Sequence, residues 1–171
     1  EKKSITAVLA AAGLAITMGL SLSQTGQVVL GFNGLVILDG FSTFVNTLLL
    51  FSGLMAIALA YGYLKRRGIE RGEYYSLILF SVVGMMLMAQ ARDLIIVFIA
   101  LEMLSIPLYV LAAFDNSNAK SEESGIKYFL LGAFSGGFVV YGIALVFGAT
   151  GSTALVAIAA AVAEGSADPL L

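Results

Sequence analysis

The sequence predicts an all-α integral membrane protein, a bundle of five transmembrane helices followed by a short connector helix. Three observations carry that reading. Hydrophobic residues make up 60% of the 171 and charged residues only 12%, with a mean hydropathy of +0.99, far outside the range of soluble globular domains. The apolar residues gather in runs long enough to cross a bilayer, separated by short polar or basic stretches. One such run, Leu94 to Ala113, holds a single carboxylate, Glu102, near its midpoint.

Ile5 to Leu22, preceded by Lys2 and Lys3, forms the first span. A basic start before an apolar run also fits a secretory signal peptide, but no A-x-A site follows and the rest of the chain is membrane-embedded. Ser23 to Gly40 mixes Gln, Thr, Gly and Asn with Val, Leu and Phe, and is expected to be an extended connection on one membrane face, hairpin-like around Thr25-Gly26. Asp39 and Ser42 offer N-caps for the second span, 41–64. Its internal polar residues, Asn46 and Thr47, suit hydrogen bonds between helices.

Lys65-Arg66-Arg67 closes that span, and 73–90 forms the third, with Gly84 and a Met-rich stretch, Met85, Met86 and Met88, that reads as gap-filling core rather than a cofactor or metal site. Arg92 and Asp93 turn the chain into the fourth span, 94–114, and the polar loop Asp115 to Glu123 leads to the fifth, 124–147. Gly132 and Gly136, with Gly125 one heptad earlier, give that helix a small-residue face that another helix can approach closely. Ser152 to Glu164 is Ala-rich and mildly amphipathic, with Ser152 as cap and Gly165 as stop. Thirteen helical residues reach only about 20 Å, too short to cross, so this segment is expected to lie at the surface as a connector.

Five spans put the two ends of the chain on opposite sides. Lys2, Lys3, Lys65, Arg66, Arg67, Arg71, Lys120 and Lys127 fall on one side and Arg92 alone on the other, so the positive-inside rule makes the first side, with the N-terminus, cytoplasmic. The chain has no Cys and no His, which removes the usual ligands of haem, iron–sulfur clusters, zinc and copper. It also lacks a glycine-rich phosphate loop. With a net charge of −2 and its basic residues confined to loops and span ends, a nucleic-acid surface is excluded. Glu1 stands where a methionine would open a complete chain, and Asp168-Pro169, a pair suited to starting a helix, comes just before Leu171; the sequence is therefore read as a segment of a longer polypeptide.

The chemistry centres on Glu102. Twenty helical residues cover about 30 Å, the thickness of the hydrocarbon layer, so Glu102 falls where water is absent. A charge at the centre of a spanning helix costs about 2.5 to 3.5 kcal/mol on insertion scales, which makes ion or proton movement the working hypothesis. Five residues on, Pro107 has no N–H for the carbonyl of Met103 and disfavours helical dihedrals at Ile106, so a kink is expected just after the acid. Ser105 and Tyr109 share the face of Glu102 and form a polar stripe that must meet other helices rather than lipid. The competing reading of Glu102 is a hydrogen-bonded structural acid. Lys127, about one turn into the fifth span, can either snorkel to the headgroups or serve the site.

At 99–114, IALEMLSIPLYVLAAF, and 125–153, GIKYFLLGAFSGGFVVYGIALVFGATGST, the chain resembles the subunit N family of bacterial respiratory complex I, the proton-translocating NADH:quinone oxidoreductase. The resemblance extends to DGFSTF at 39–44 and GEYYSLILFSVVGMMLMAQARDL at 72–94, and so to nearly the whole chain. Related antiporter-like subunits and sodium/proton antiporter subunits share the buried glutamate but generally not the Ser-Ile-Pro-Leu-Tyr-Val-Leu-Ala context.

The resemblance implies a fragment of an antiporter-like fold of about fourteen helices, built around two inverted five-helix repeats, each with a broken helix and a central lysine. This chain would supply the second to sixth helices, with the later lysines and the broken helices beyond Leu171. The family's functional glutamate falls on Glu102 and the basic residue of its next helix on Lys127, which makes these two the implied proton-translocation residues, with Ser105, Pro107 and Tyr109 as channel lining and kink. No cofactor is implied on this chain; NADH, FMN, iron–sulfur clusters and quinone belong to partner subunits. The implied partners are the neighbouring antiporter-like and small membrane subunits, and the implied location is the bacterial plasma membrane. In the mechanism this suggests, the distance between Glu102 and a lysine sets whether each holds its proton, so moving that lysine moves protons. The rivals are a sodium/proton antiporter subunit of the same superfamily and a structural or assembly membrane protein.

Overall fold

The computed structural model describes residues 2–167, with only the backbone of 2–4. The helix start expected at Asp168-Pro169 and the side chains of Lys2 and Lys3 lie outside the described residues. The elements run α1 (Lys2–Ser23), β1 (Val29–Gly31), β2 (Val36–Leu38), α2 (Gly40–Arg67), α3 (Glu73–Gln90), α4 (Leu94–Ala112), α5 (Ala119–Thr150) and α6 (Leu155–Ala163). Five of the helices, α1 to α5, are long and apolar enough to cross a membrane. Each packs on its neighbour in sequence, and α3 with α4 makes the most extensive interface.

Short side chains set the spacing of α1, α2 and α3. Their shared core holds Ala7, Ala10, Leu14, Leu50, Ile57, Ala60, Leu64, Tyr75, Ile78 and Val82. At Gly53 the three helices converge, since a Cβ there would stand 2.9 Å from Val82 and 3.1 Å from Leu14. Small residues of this kind let membrane helices gain close van der Waals contact, the main attraction available between helices in lipid. Through Ala7, Ala10 and Leu14, α1 packs as part of the bundle.

The connection between α1 and α2 is a hairpin, but its turn is not at Thr25-Gly26. β1 and β2 pair antiparallel, Val29 with Leu38 and Gly31 with Val36, around a turn at Phe32–Gly34. Phe32, Asn33 and Gly34 all have positive φ, at 49°, 55° and 87°, and an Asn-Gly pair is the sequence best suited to that left-handed backbone. Gly26 instead takes φ 85° in the turns that follow α1. Asp39 caps α2: its carboxylate accepts from the Ser42 N–H at 2.8 Å while Ser42 Oγ accepts from the Asp39 N–H at 2.8 Å. This reciprocal pair satisfies two otherwise free donors at the helix start, and Gly68, with φ 71°, ends the helix.

Two expectations need correction. The backbone is helical through Ile106 and Pro107, so α4 is not broken after the acid. Its neighbour α3 bonds it on one side, where the Ser81 hydroxyl donates to the Leu104 carbonyl at 3.2 Å; the carbonyl that Pro107 leaves without its helical donor is that of Met103. The connector helix is shorter than 152–164 and is capped at Ala154, not Ser152. Residues 152–154 are extended instead, because Ala154 bridges to Asp93. The helix itself, LVAIAAAVA, has no polar residue and is therefore apolar all round rather than amphipathic.

Candidate functional site: the polar stripe of α4

The position of α4 is set at its N-cap. Asp93 is buried, and its carboxylate accepts the Ile95 N–H at 2.9 Å and the Thr153 hydroxyl at 2.7 Å. From there the helix runs past Glu102, Ser105, Pro107 and Tyr109 to Ala112. Pro107 and Tyr109 are buried; Glu102 and Ser105 are half-buried.

Two neighbours clamp this stretch, and both do so with glycines. On one side, a Cβ on Gly84 of α3 would stand 2.5 Å from the Leu104 nitrogen and 2.9 Å from the Met103 carbonyl carbon. The α3 backbone thus lies directly on the α4 backbone beside Glu102. On the other side, α5 runs antiparallel and presents Gly136, Gly132 and Gly125 in turn. Glu102 Oε1 lies 3.0 Å from the Cβ position of Gly136, the Tyr109 hydroxyl and ring fill the side-chain position of Gly132, and Ala113 fills that of Gly125. The small-residue face read from the sequence therefore meets α4. What it admits is the polar stripe itself.

Tyr109 is held in place by two edge-to-face contacts, with Tyr128 at 4.8 Å and Phe129 at 5.9 Å between ring centroids. Beyond it, a groove of about 620 Å³ opens between α3, α4 and α5, lined among others by Arg71, Glu73, Tyr109, Asn116 and Phe129. Glu102 makes no side-chain hydrogen bond or ion pair with another described residue. Its carboxylate is therefore free to bond a proton, a water or a group from another helix.

Lys127 is not brought to Glu102. Its ammonium pairs with Glu123, one turn earlier on α5, with the two side chains 73% and 61% exposed. At 3.6 residues per turn, Lys127 lies about half a turn round the helix from Gly136, on the side away from α4. Sequence reading missed Gly84 and Ser81 as the floor under the acid, and the tie from Asp93 to Thr153. Gly84, three residues after Ser81, was the available signal, a small pair on one helical face.

Glu102 thus stands midway along an apolar helix, opposed by a glycine of α5 and flanked by backbone contact with α3. Residues 91–170 match the family described as NADH:quinone oxidoreductase/Mrp antiporter, TM. The chain's relatives include NADH-quinone oxidoreductase subunit N 2 of Roseiflexus castenholzii, 48% identical over 96% of this chain and 33% of the relative. Subunit N of Chloroflexus aggregans is 46% identical over 90% of this chain and 32% of the relative. Among solved structures, a chain of respiratory complex I from Thermus thermophilus superposes with a TM-score of 0.78 at 35% identity, covering 90% of this chain and 33% of that one. The chain thus spans about a third of the length of the relatives it matches.

Proposed function

We propose that this chain is the acid-bearing part of a proton-translocating membrane subunit of an NADH:quinone oxidoreductase, in which Glu102 takes up and releases the proton. The observation that carries this reading is the Glu102 carboxylate, midway along a membrane helix, set against Gly136 and without a hydrogen-bond partner among the described residues. A carboxylate satisfied by fixed donors would be held in one protonation state. One facing a gap can change state when a charge elsewhere approaches or withdraws. Tyr109 and Ser105 then line the route, Pro107 shapes it, and Lys127, on the far side of α5 from Glu102, passes protons inward.

Redox chemistry is assigned to partner subunits that carry NADH, FMN, iron–sulfur clusters and quinone, and this chain lies against neighbouring antiporter-like and small membrane subunits. The family description names Mrp antiporters too, which keeps the antiporter reading in view, but the relatives above are named as oxidoreductase subunits, which favours the first reading. The location follows as the bacterial plasma membrane, with the basic end, where α2 meets α3, in the cytoplasm.

The test is Glu102→Gln in the assembled complex, with NADH turnover and proton pumping measured together. Glutamine keeps shape and hydrogen bonding but cannot ionise, so pumping is expected to collapse while assembly survives. Glu102→Asp should retain part of the activity. Normal pumping by the glutamine variant would leave Glu102 a packing residue and the chain a structural membrane protein.

A further inference from the structure

The contact between α4 and α5 is tied at both ends. At the end away from the basic loops, Asp93 is only 5% exposed and divides its two oxygens: Oδ1 accepts the Ile95 N–H at 2.9 Å, and Oδ2 accepts the Thr153 hydroxyl at 2.7 Å. Backbone bonds double the tie, from the Leu94 N–H to the Thr153 carbonyl at 2.9 Å and from the Leu155 N–H to the Arg92 carbonyl at 2.9 Å. Thr153 follows α5 closely, after Thr150 and the left-handed cap Gly151, so it moves with that helix. At the other end the Ser121 hydroxyl of α5 donates to the Ala112 carbonyl of α4 at 2.8 Å.

Capping alone does not explain Asp93. Asn and Ser cap helices as well as Asp, and burying a carboxylate with no cation costs free energy unless its oxygens are bonded. Here the second oxygen is bonded by the one side chain that joins α4 to the end of α5. Between the two ties, α5 presents Gly136 to Glu102 and Gly132 to Tyr109; glycine offers no knob to stop sliding, and the rings of Tyr128 and Phe129 grip the stripe at Tyr109 but not at Glu102. A slip of one residue moves a helix by about 1.5 Å, enough to drive the Tyr109 ring out of the space at Gly132.

We propose that Asp93 and Thr153 are positioning residues that fix the register of α4 on α5, and so hold Glu102 and Tyr109 opposite Gly136 and Gly132. The functional weight of that register rests on the reading of Glu102 as the proton-carrying acid, but the register itself does not. The experiment uses the full-length subunit in the assembled, membrane-embedded complex and compares Thr153→Val, which keeps the shape of threonine, with Thr153→Ser, which keeps the hydroxyl. Two quantities are read: the pumping rate, and the rate at which N-ethylmaleimide labels a Glu102→Cys background, where α5 shields the thiol.

Thr153→Val should accelerate labelling, and in the Glu102 parent reduce pumping, by roughly an order of magnitude, the scale set by one hydrogen bond to a charged group. Thr153→Ser should restore both. Asp93→Asn, which preserves the cap, should fall between. Unchanged labelling and pumping in Thr153→Val overturn the proposal, as does loss of the assembled complex in the valine and serine variants alike. If Glu102→Gln pumps normally while Thr153→Val still accelerates labelling, the proton role of Glu102 fails and the tie stands.

Discussion

The Glu102 carboxylate and the backbone of Gly136 face each other across the α4–α5 contact, with Oε1 3.0 Å from where a Cβ on that glycine would stand. One heptad of α4 further on, the same helix pair repeats the arrangement with Tyr109 and Gly132, but more tightly, since Cε1 of the ring lies 2.8 Å from the missing Cβ. The two glycines should therefore respond differently to the same substitution. Gly132→Ala must displace a buried ring held by Tyr128 and Phe129, and overpacking of this kind costs about 1 to 3 kcal/mol. Gly136→Ala meets only the end of a flexible side chain, and the gain in helix propensity, about 1 kcal/mol, offsets most of the strain. Lower melting temperature and yield are expected for Gly132→Ala, with Tyr109→Ala as its suppressor. Gly136→Ala should assemble normally but pump less. Equal melting of the two variants would contradict the packing described.

Gly84→Ala is expected to be the most damaging single methyl in the bundle. The atoms it would meet, the Leu104 nitrogen at 2.5 Å, the Met103 carbon at 2.9 Å and the Ala100 oxygen at 3.0 Å, are all backbone, and backbone cannot step aside as a side chain can. The two helices must separate, breaking the bond from Ser81 to Leu104 and loosening α4 beside Glu102. Loss of assembled complex in detergent extracts is the expected readout. A normal yield with an unchanged melting curve would show that α3 and α4 are not in backbone contact there.

Apolar runs and their punctuation made the helices legible, because a chain in lipid must satisfy its backbone bonds within each span. The acid was legible for the same reason, as a costly residue in a run that had no other charge. What stayed hidden depended on pairing between distant segments. Nothing local in Thr153 announces Asp93, sixty residues away, yet their bond takes 152–154 out of the connector helix. Gly132 and Gly136 were visible as a close-approach face, but that the approaching groups are Tyr109 and Glu102 follows only from the antiparallel register. Proline made a departure from helical backbone at Ile106 a sound local inference, yet α4 runs on through Pro107 to Ala112. The hairpin turn is legible in the Asn33-Gly34 pair, whereas Gly26 belongs to the turns that leave α1.

Asp39 lets the start of α2 be tested by pH. The hydrogen bond from the Ser42 N–H holds its carboxyl below the usual carboxylate range. A depressed folded-state pKa contributes stability that is present above the unfolded value, about 3.9, and is lost as pH falls through the folded value. Amide exchange across 41–46 should therefore be flat from neutral pH down to about 5 after correction for intrinsic rates, and rise only below the unfolded value. Asp39→Ala should cost about 1 kcal/mol at neutral pH. Asp39→Asn should keep the cap and abolish the acid limb; an acid limb surviving in that variant would assign it to another group.

Lys127 separates an ion pair from a functional cation. Its partner Glu123 precedes it by four residues and both side chains are largely exposed, a favourable orientation on a helix but worth only about 0.3 to 0.5 kcal/mol. Neither Lys127→Ala nor Glu123→Ala should then change the melting of the complex. If the pair is all that matters, the two variants must behave alike in every assay. If Lys127 serves the proton route from the far side of α5, Lys127→Ala should depress pumping while Glu123→Ala leaves it near normal. Lys127→Arg is the sharper variant, because arginine keeps the charge but does not release its proton in proteins. Arginine should then support pumping if only the charge acts on Glu102, and fail if the lysine itself passes protons. Full pumping by Lys127→Ala would reduce Lys127 to a lysine that snorkels to the headgroups.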